Sequence, residues 1–568
     1  MSKKEIIRTP WRVLEKYRGT FYTGQWPTLP EMFKITVSRY GERPCFTIYE
    51  PDRISLTYKE SLEKIEAVAR YLHKQGIRKG DTIAVTGKNS PEWTVAYLGI
   101  LFAGATVVPI DYQIKNEETD LLIKTSKAKM LFVDEEKHRR YVEDKDSRKL
   151  IREVISLRKG VGVYIYTLDG PDADIEQASE HDLAAILFTS GTTGNPKGVM
   201  LTHQNLVSDC YLAQGHLDIY PEDVFYALLP IHHAYTMLAV FIETISCGAE
   251  LVFGKKMVTQ VILKDLKQAK VTMLLGVPML FNKVLAGILR GLKAKGPLVY
   301  GTITALMGIS GFIKKIFGVN PGKKMFRAVL DKASLTTLRI CICGGGPLAP
   351  SVFKKYNELG IDFIQGYGLT ETSPIINLNP KEHYKETSVG KTVPQVDMKI
   401  LNPDERGVGE IIVKGPMVMK GYFEMPEDTK AAFTEDGYLK TGDLGYLDDE
   451  NYLYLTGRAK NLIVTEGGKN VYPEEIENEF QLFEEIEQIL VRGFEINKKM
   501  KTEGIEALVY PSSDVFKDTP KEQVKTRIDA IISEVNQRLL PYQKIEKTTI
   551  LDERMEETTT KKIKRDAV

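Results

Sequence analysis

The apolar run Ala184 to Phe188 leads straight into TSGTTGNPKG, Thr189 to Gly198, and this junction constrains the chain more than any other stretch. The run reads as a short buried strand. A strand that ends in Gly, Ser and Thr around one lysine is suited to approach an anion closely. Glycines remove the steric bar, hydroxyls and exposed amides donate, and Lys197 brings charge. The loop is not the P-loop of nucleoside triphosphatases, which needs Gly-Lys-Ser/Thr. Here Pro196 precedes Lys197 and Gly198 follows it. A Ser/Gly surface turn is the competing reading; the strand in front and the lysine inside favour phosphate.

Upstream, helices alternate with strands. Leu29 to Tyr40 reads as an amphipathic helix, and Ser55 to Val85 as helix, Gly76 turn and strand, with Leu62, Ile65, Val68, Ala69 and Leu72 on one stripe. Pro91 to Ile110 repeats the theme through Gly104, and Lys127 to Glu136 holds another strand. Residues 159–180 read as connector, and a second α/β round runs from about 205 to 375. The expectation is an α/β protein of layered sheets.

Lysine and arginine (77) nearly cancel aspartate and glutamate (76), so nothing argues for nucleic acid as a partner. The five cysteines, an odd number without a CxxC pair, fit a reducing, cytoplasmic setting. No secretory signal is visible in MSKKEIIRTPWRVLEK. The uncharged stretch Gly296 to Ile313 is marginal for a membrane span, which needs about 20 mostly apolar residues. A membrane-surface segment or a buried helix is expected there. The basic and apolar mix of 290–330 leaves open peripheral contact with an anionic bilayer, or an insertion that merely covers the fold.

Three further motifs carry chemistry. RICICGGGPL, Arg339 to Leu348, is a strand ending in glycines, with Cys341 and Cys343 on one packing face. QGYGLTETSP, Gln365 to Pro374, offers a flat ring at Tyr367 and oxygens at Thr370 and Glu371 that suit magnesium. TGD at Thr441 to Asp443 and GR at Gly457-Arg458 pair a carboxylate, able to accept two hydroxyls, with a guanidinium. LPIHHAY, Leu229 to Tyr235, has adjacent histidines without the spacing of a helical metal pair, so zinc is not expected.

Taken with HQNL at His203 to Leu206, the order TSGTTG, GYGLTE, TGD, GR resembles the adenylate-forming superfamily, and long-chain fatty acyl-CoA synthetases in particular. The resemblance covers nearly the whole chain. It implies a large N-terminal domain, 1–457, and a small mobile α+β lid, 458–568, swinging about a hinge at Lys460. It implies ATP held by Thr189, Ser190, Gly191, Thr192, Thr193, Gly194 and Lys197, with adenine against Gly345, Gly346, Pro347 and the segment Gln365, Gly366, Tyr367 and Gly368. The α-phosphate would meet Thr370, the ribose Asp443 and Arg458, and Mg²⁺ Glu371 and Thr189. His233, Tyr235, Gly276, Val277 and Pro278 would line the acyl pocket, and Gly467 and Gly468 would approach coenzyme A.

The implied reaction activates a fatty acid of medium to long chain with ATP through acyl-AMP to acyl-CoA. The family's lysine falls on Lys562 in TTTKKIKR, with Lys561 as rival because Glu556 and Lys561 depart from the family's Pro and Gly. Ala234 and Tyr235 stand where amino-acid-activating relatives commonly place an Asp. Transfer to an acyl carrier protein, an aryl acid substrate, a silent acyl or nucleotide binder, and a homodimer remain open.

Overall fold

Burial on both faces dictates the centre of the molecule. The strands Thr82–Thr86, Thr106–Ile110 and Met130–Val133 are buried at every position. They pair in parallel, the uniformly apolar pattern of strands covered by helices on both sides. The computed structural model describes residues 8–50, 52–189, 196–255, 258–465, 469–497, 502–557 and 563–565. Its described residues form five sheets.

These strands lie in a seven-stranded sheet, ordered 421–422, 197–202, 183–189, 106–110, 82–86, 130–133 and 153–156. Helix Pro91–Phe102, buried throughout, packs on it. Local chemistry sets the helix ends. Thr28 with Glu31, and Thr57 with Glu60, form capping boxes at the starts of Leu29–Tyr40 and Tyr58–Lys74. Gly76 and Gly104, at φ +80° and +75°, turn the chain after two helices as the sequence leads one to expect.

A nine-stranded sheet runs 391–392, 375–378, 362–368, 340–343, 273–276, 224–227, 250–253, 44–48 and 54–57. Its middle is parallel and its outer pairs antiparallel. The sequence does not announce the third sheet, 397–401, 409–414, 439–447 and 453–458, which is antiparallel throughout. Its strands are partly exposed and carry lysine, aspartate and glycine, so neither a run nor a clean alternation marks them.

Toward the C-terminus, the strands Ile486–Asn497, Thr502–Pro511 and Lys547–Ile550 with helix Lys521–Asn536 close a separate core around Val491, Ile505, Ile528 and Ile531. Among the described residues the five cysteines are unpaired, and Cys341 and Cys343 are buried as packing residues. The stretch expected to be either a surface segment or a buried helix is the helix Pro297–Phe317, with only Met307, Ser310 and Lys314 of its residues buried.

Helix Ala234–Cys247, whose turn Met237–Ile242 is widened to π geometry, holds Glu243 fully inside the core. Gln214 Nε2 donates to its Oε2 at 2.7 Å. Burial pushes the carboxyl up to about 8, and the donors Gln214 and Cys210 only partly oppose this. The folded pKa lies above the unfolded one, so the stability that neutral Glu243 contributes is complete below the ordinary carboxylate range. It is lost as pH rises through about 8. The unfolding temperature should therefore fall as pH rises from the ordinary carboxylate range to about 8 and level off above it, and Glu243→Gln should flatten that slope.

Candidate active site

Strand Leu183–Thr189 and strand Lys197–Thr202 form an antiparallel hairpin in which Thr189 faces Lys197. Ser190, Gly191, Thr192, Thr193 and Gly194 lie outside the described residues. At the hairpin mouth Lys197 pairs with Asp428 and sits 5.0 Å above the ring of Tyr422. Tyr422 belongs to the same sheet, pairing with Val199. Its hydroxyl donates to Glu371 Oε1 at 3.0 Å. Burial and the Glu371 carboxylate raise the phenol's pKa, so it stays protonated and keeps donating.

Glu371 comes from a different sheet. Strand Asp362–Gly368 turns at Thr370–Thr372 and presents Thr370 and Glu371 at its end. The turn needs Gly368, because a Cβ there would lie 1.5 Å from the Pro374 carbonyl oxygen. Asn205 fixes the opposite wall. With Thr202 it caps helix His203–Ala213, and its amide donates to the Pro416 and Val418 carbonyls. The next residue, Met419, donates its N–H to the Glu371 carbonyl at 2.9 Å. HQNL is thus a brace for the segment that carries Tyr422.

On the same strand the Tyr367 hydroxyl donates to Asp443 Oδ2 at 2.8 Å. Arg458 Nε meets the other carboxylate oxygen at 3.1 Å, and Asp443 and Arg458 are direct cross-strand partners in the antiparallel sheet. Burial, then Asp443, raises the Tyr367 pKa as well. Asp443 is buried while Arg458 is half-exposed, so the carboxylate sits at the wet edge of a protein wall.

The third wall is the strand pair 273–276 and 340–343. Cys343 pairs with both Gly276 and Gln365, so the GGGPL and GYGLTE turns leave adjacent strands side by side. Gly345, at φ +76°, and Gly346 lie against Val277 and Pro278, 3.7 and 3.6 Å from where a Cβ would sit. Tyr235 lies under Gly344 and donates to the Ile342 carbonyl at 3.1 Å. Pro347 is held from outside: Gln481 Nε2 donates to its carbonyl at 2.9 Å and Gln481 Oε1 accepts from Ala349 N at 2.8 Å.

His233, at the N-cap of the Tyr235 helix, holds its ring 4.1 Å from that of His232, tilted by 46°. Asp111, from the end of a distant strand, comes within 3.6 Å of His232 Nε2. An acid therefore reaches this corner from elsewhere in the chain and faces a histidine. These three residues bring ligand-type atoms within 4.8 Å of one another.

Of the remaining expectations, Lys460 is exposed in the turn Ala459–Asn461 after Arg458. Gly467, Gly468, Lys561 and Lys562 lie outside the described residues. The flanks of Lys562 are anchored. Glu557 and Ile563 form an antiparallel bridge, and Arg565 binds both oxygens of Glu477 at 2.7 Å. Tyr422, Asp428, Asp111 and Gln481 have no motif to reveal them; each acts through a partner far away in sequence.

A family model described as AMP-binding enzyme matches residues 33–423, more than half of the chain. The chain belongs to the AMP-binding enzyme family. The matched span takes in Lys197, Glu371 and Tyr422; Asp443 and Arg458 lie beyond it. This AMP-binding enzyme is 28% identical over 563 residues to a long-chain-fatty-acid–CoA ligase of Bacillus subtilis, covering 91% of this chain and 89% of the relative. It is 29% identical to a feruloyl-CoA synthase of Amycolatopsis, covering 83% and 85%. Among solved structures, ATP-bound MatB from Rhodopseudomonas palustris superposes with TM-score 0.74 at 26% identity, covering 95% and 98%.

Asp443→Asn keeps the shape but removes the charge that faces Tyr367 and Arg458. AMP affinity should fall about ten- to a hundredfold, the worth of one or two charge-assisted hydrogen bonds. Calorimetric titration with AMP checks it; an unchanged Kd would place the ribose contact elsewhere.

Proposed function

We propose that this enzyme activates a fatty acid as its acyl-AMP and passes the acyl group to coenzyme A. The observation that carries the reading is the convergence, at the edge of three sheets, of Lys197, Glu371 and the Tyr367–Asp443–Arg458 group. Likeness over nine-tenths of its length to a fatty acid–CoA ligase supports the acid and the acceptor. The feruloyl-CoA synthase relative makes an aromatic acid the second reading.

A carboxylate is a poor electrophile. Its oxygen attacks the α-phosphorus of ATP, the bond to pyrophosphate breaks, and a mixed anhydride results. The thiol sulfur then attacks the acyl carbon, AMP leaves with the bonding pair, and the thiol proton goes to solvent. The first step crowds negative charge, so cations and donors must be in place beforehand. Lys197, held over Tyr422, is one. The Glu371 carboxylate and Thr189 hydroxyl are hard oxygen donors that fit Mg²⁺, which when bound neutralises phosphate charge. Asp443 takes the ribose hydroxyls, with Arg458 and Tyr367 fixing its orientation. Gly345, Gly346 and Pro347 flank the base.

We assign the acyl side to His233, Tyr235, Gly276, Val277 and Pro278, the approach of coenzyme A to Gly467 and Gly468, and the mobile cation to Lys562. The division at 457/458, the hinge at Lys460 and a cytoplasmic setting belong to the same proposal.

Incubation with ATP, Mg²⁺ and acids from acetate to long saturated and cinnamic acids, with and without coenzyme A, should yield acyl-CoA peaking at a long saturated chain. A cinnamoyl product would move the reading to aryl acids. Acyl-AMP that persists beside coenzyme A and is consumed by an acyl carrier protein would change the acceptor. Absence of turnover would leave a nucleotide binder. Lys562→Ala should slow adenylation roughly 10²- to 10³-fold, the scale of losing one preorganised donor at a developing charge. Thioester formation from supplied acyl-AMP should suffer much less; equal losses would remove the assignment.

A further inference from the structure

Between Asp265 and Asp331 the chain carries eleven lysines and arginines and not one aspartate or glutamate, in a protein whose charges otherwise balance to +1. The helix Pro297–Phe317 lies within this stretch. At 21 residues it is long and apolar enough to cross a membrane by length and composition, and spans about 31 Å. It does not leave the body of the protein. Met307, Ser310 and Lys314 form its buried face. Lys314 Nζ reaches under the helix to Asn357 Oδ1 and Asp362 Oδ1, both at 2.7 Å. Gly311 and Gly322 let Glu358 and its neighbours approach within contact distance. The helix is bolted down on one side, which a spanning segment could not be.

The other side is apolar and uncovered. Leu298 is 86% exposed, Ile309 52%, Phe312 62% and Phe317 65%, with Ile316 beside them. Large side chains cluster this way on a soluble surface when something covers them. The charge around them says what. Lys293 and Lys295 precede the helix, Lys315 sits in its last turn, and Lys324 and Arg327 follow it, all exposed. An apolar stripe with cations at both ends and no acid in its own stretch, Lys315 being also paired with Glu386 at 3.1 Å, is the pattern of a helix lying in the interface of an anionic bilayer, side chains among the acyl tails and ammonium groups among phosphates. A second copy of this surface would bring lysine against lysine. Helix Pro278–Lys293 packs against this helix and begins at the Val277–Pro278 wall, so the face is joined to the acyl side by about 24 Å of helix.

We propose that the outward face of the helix Pro297–Phe317 is a lipid-docking surface, seating the protein in the plane of an anionic membrane. Its test does not use the reaction, so it stands or falls apart from the ligase reading. The full chain is sedimented with vesicles of phosphatidylglycerol and phosphatidylcholine in equal parts, and with phosphatidylcholine alone. The wild type should pellet with the anionic vesicles about tenfold more strongly, and added salt should weaken this without abolishing it. Ile309→Glu/Phe312→Glu, both at exposed sites, should reduce partitioning on the order of a hundredfold while leaving AMP affinity and melting temperature unchanged. Tryptophan at position 312 should blue-shift with anionic vesicles, beyond any change in wild type, and be quenched by brominated lipid. Wild type that stays in solution, a double variant that pellets equally, or an unshifted Phe312→Trp would overturn the proposal. A wild-type dimer that the double variant converts to monomer, with no vesicle binding in either, would assign the face to self-association instead.

Discussion

Two tyrosine hydroxyls hold the site together. Tyr422, from the seven-stranded sheet, donates to Glu371 at the end of a strand of the nine-stranded sheet. Tyr367, on that same strand, donates to Asp443 in the antiparallel sheet. Three sheets with separate hydrogen-bond ladders are stitched at one edge by two phenol–carboxylate bonds. Both phenols are pushed up in pKa by burial, so they keep donating as pH rises. On Asp443 the other oxygen meets Arg458, so a phenol and a guanidinium together fix the plane of that carboxylate.

The edge arises from the topology. Parallel strands end together, and their turns must carry backbone close to whatever binds there. Gly368 is the tightest instance: no side chain fits between it and Pro374. Asn205 works from the other side, spending its amide on two carbonyls so that the segment before Tyr422 cannot drift. The elements proposed to address phosphate, ribose and base thus have positions fixed by packing.

Much of this is legible in the chain. Apolar runs stopped by glycine gave the parallel strands, because such strands are apolar on both faces. GYGLTE and GR lie at strand ends and TGD within a strand, and each motif carries its chemistry locally. Tyr422, Asp428 and Asp111 do not. Each is one aromatic or acid among many, and its meaning comes from a partner on another strand. The antiparallel sheet escaped for a related reason: one face is wet and its strands are broken by bulges near Glu410 and Leu444, so period-two alternation is lost. The helix Pro297–Phe317 is the reverse case, obvious as composition yet interpretable only once Lys314 is seen beneath it.

Gln481 links the C-terminal core to the turn after the strand Ile340–Cys343. It donates to one backbone carbonyl and accepts from one backbone amide of the turn Pro347–Ala349, as a neighbouring strand would. The C-terminal core and this turn therefore share a two-way bond. Whatever orders Pro347–Ala349 makes docking of the C-terminal core more favourable, and by thermodynamic reciprocity docking tightens the hold on whatever did the ordering. Departure of that core leaves an amide and a carbonyl to be satisfied by water, so the turn reports, in its own affinity, where the rest of the protein stands.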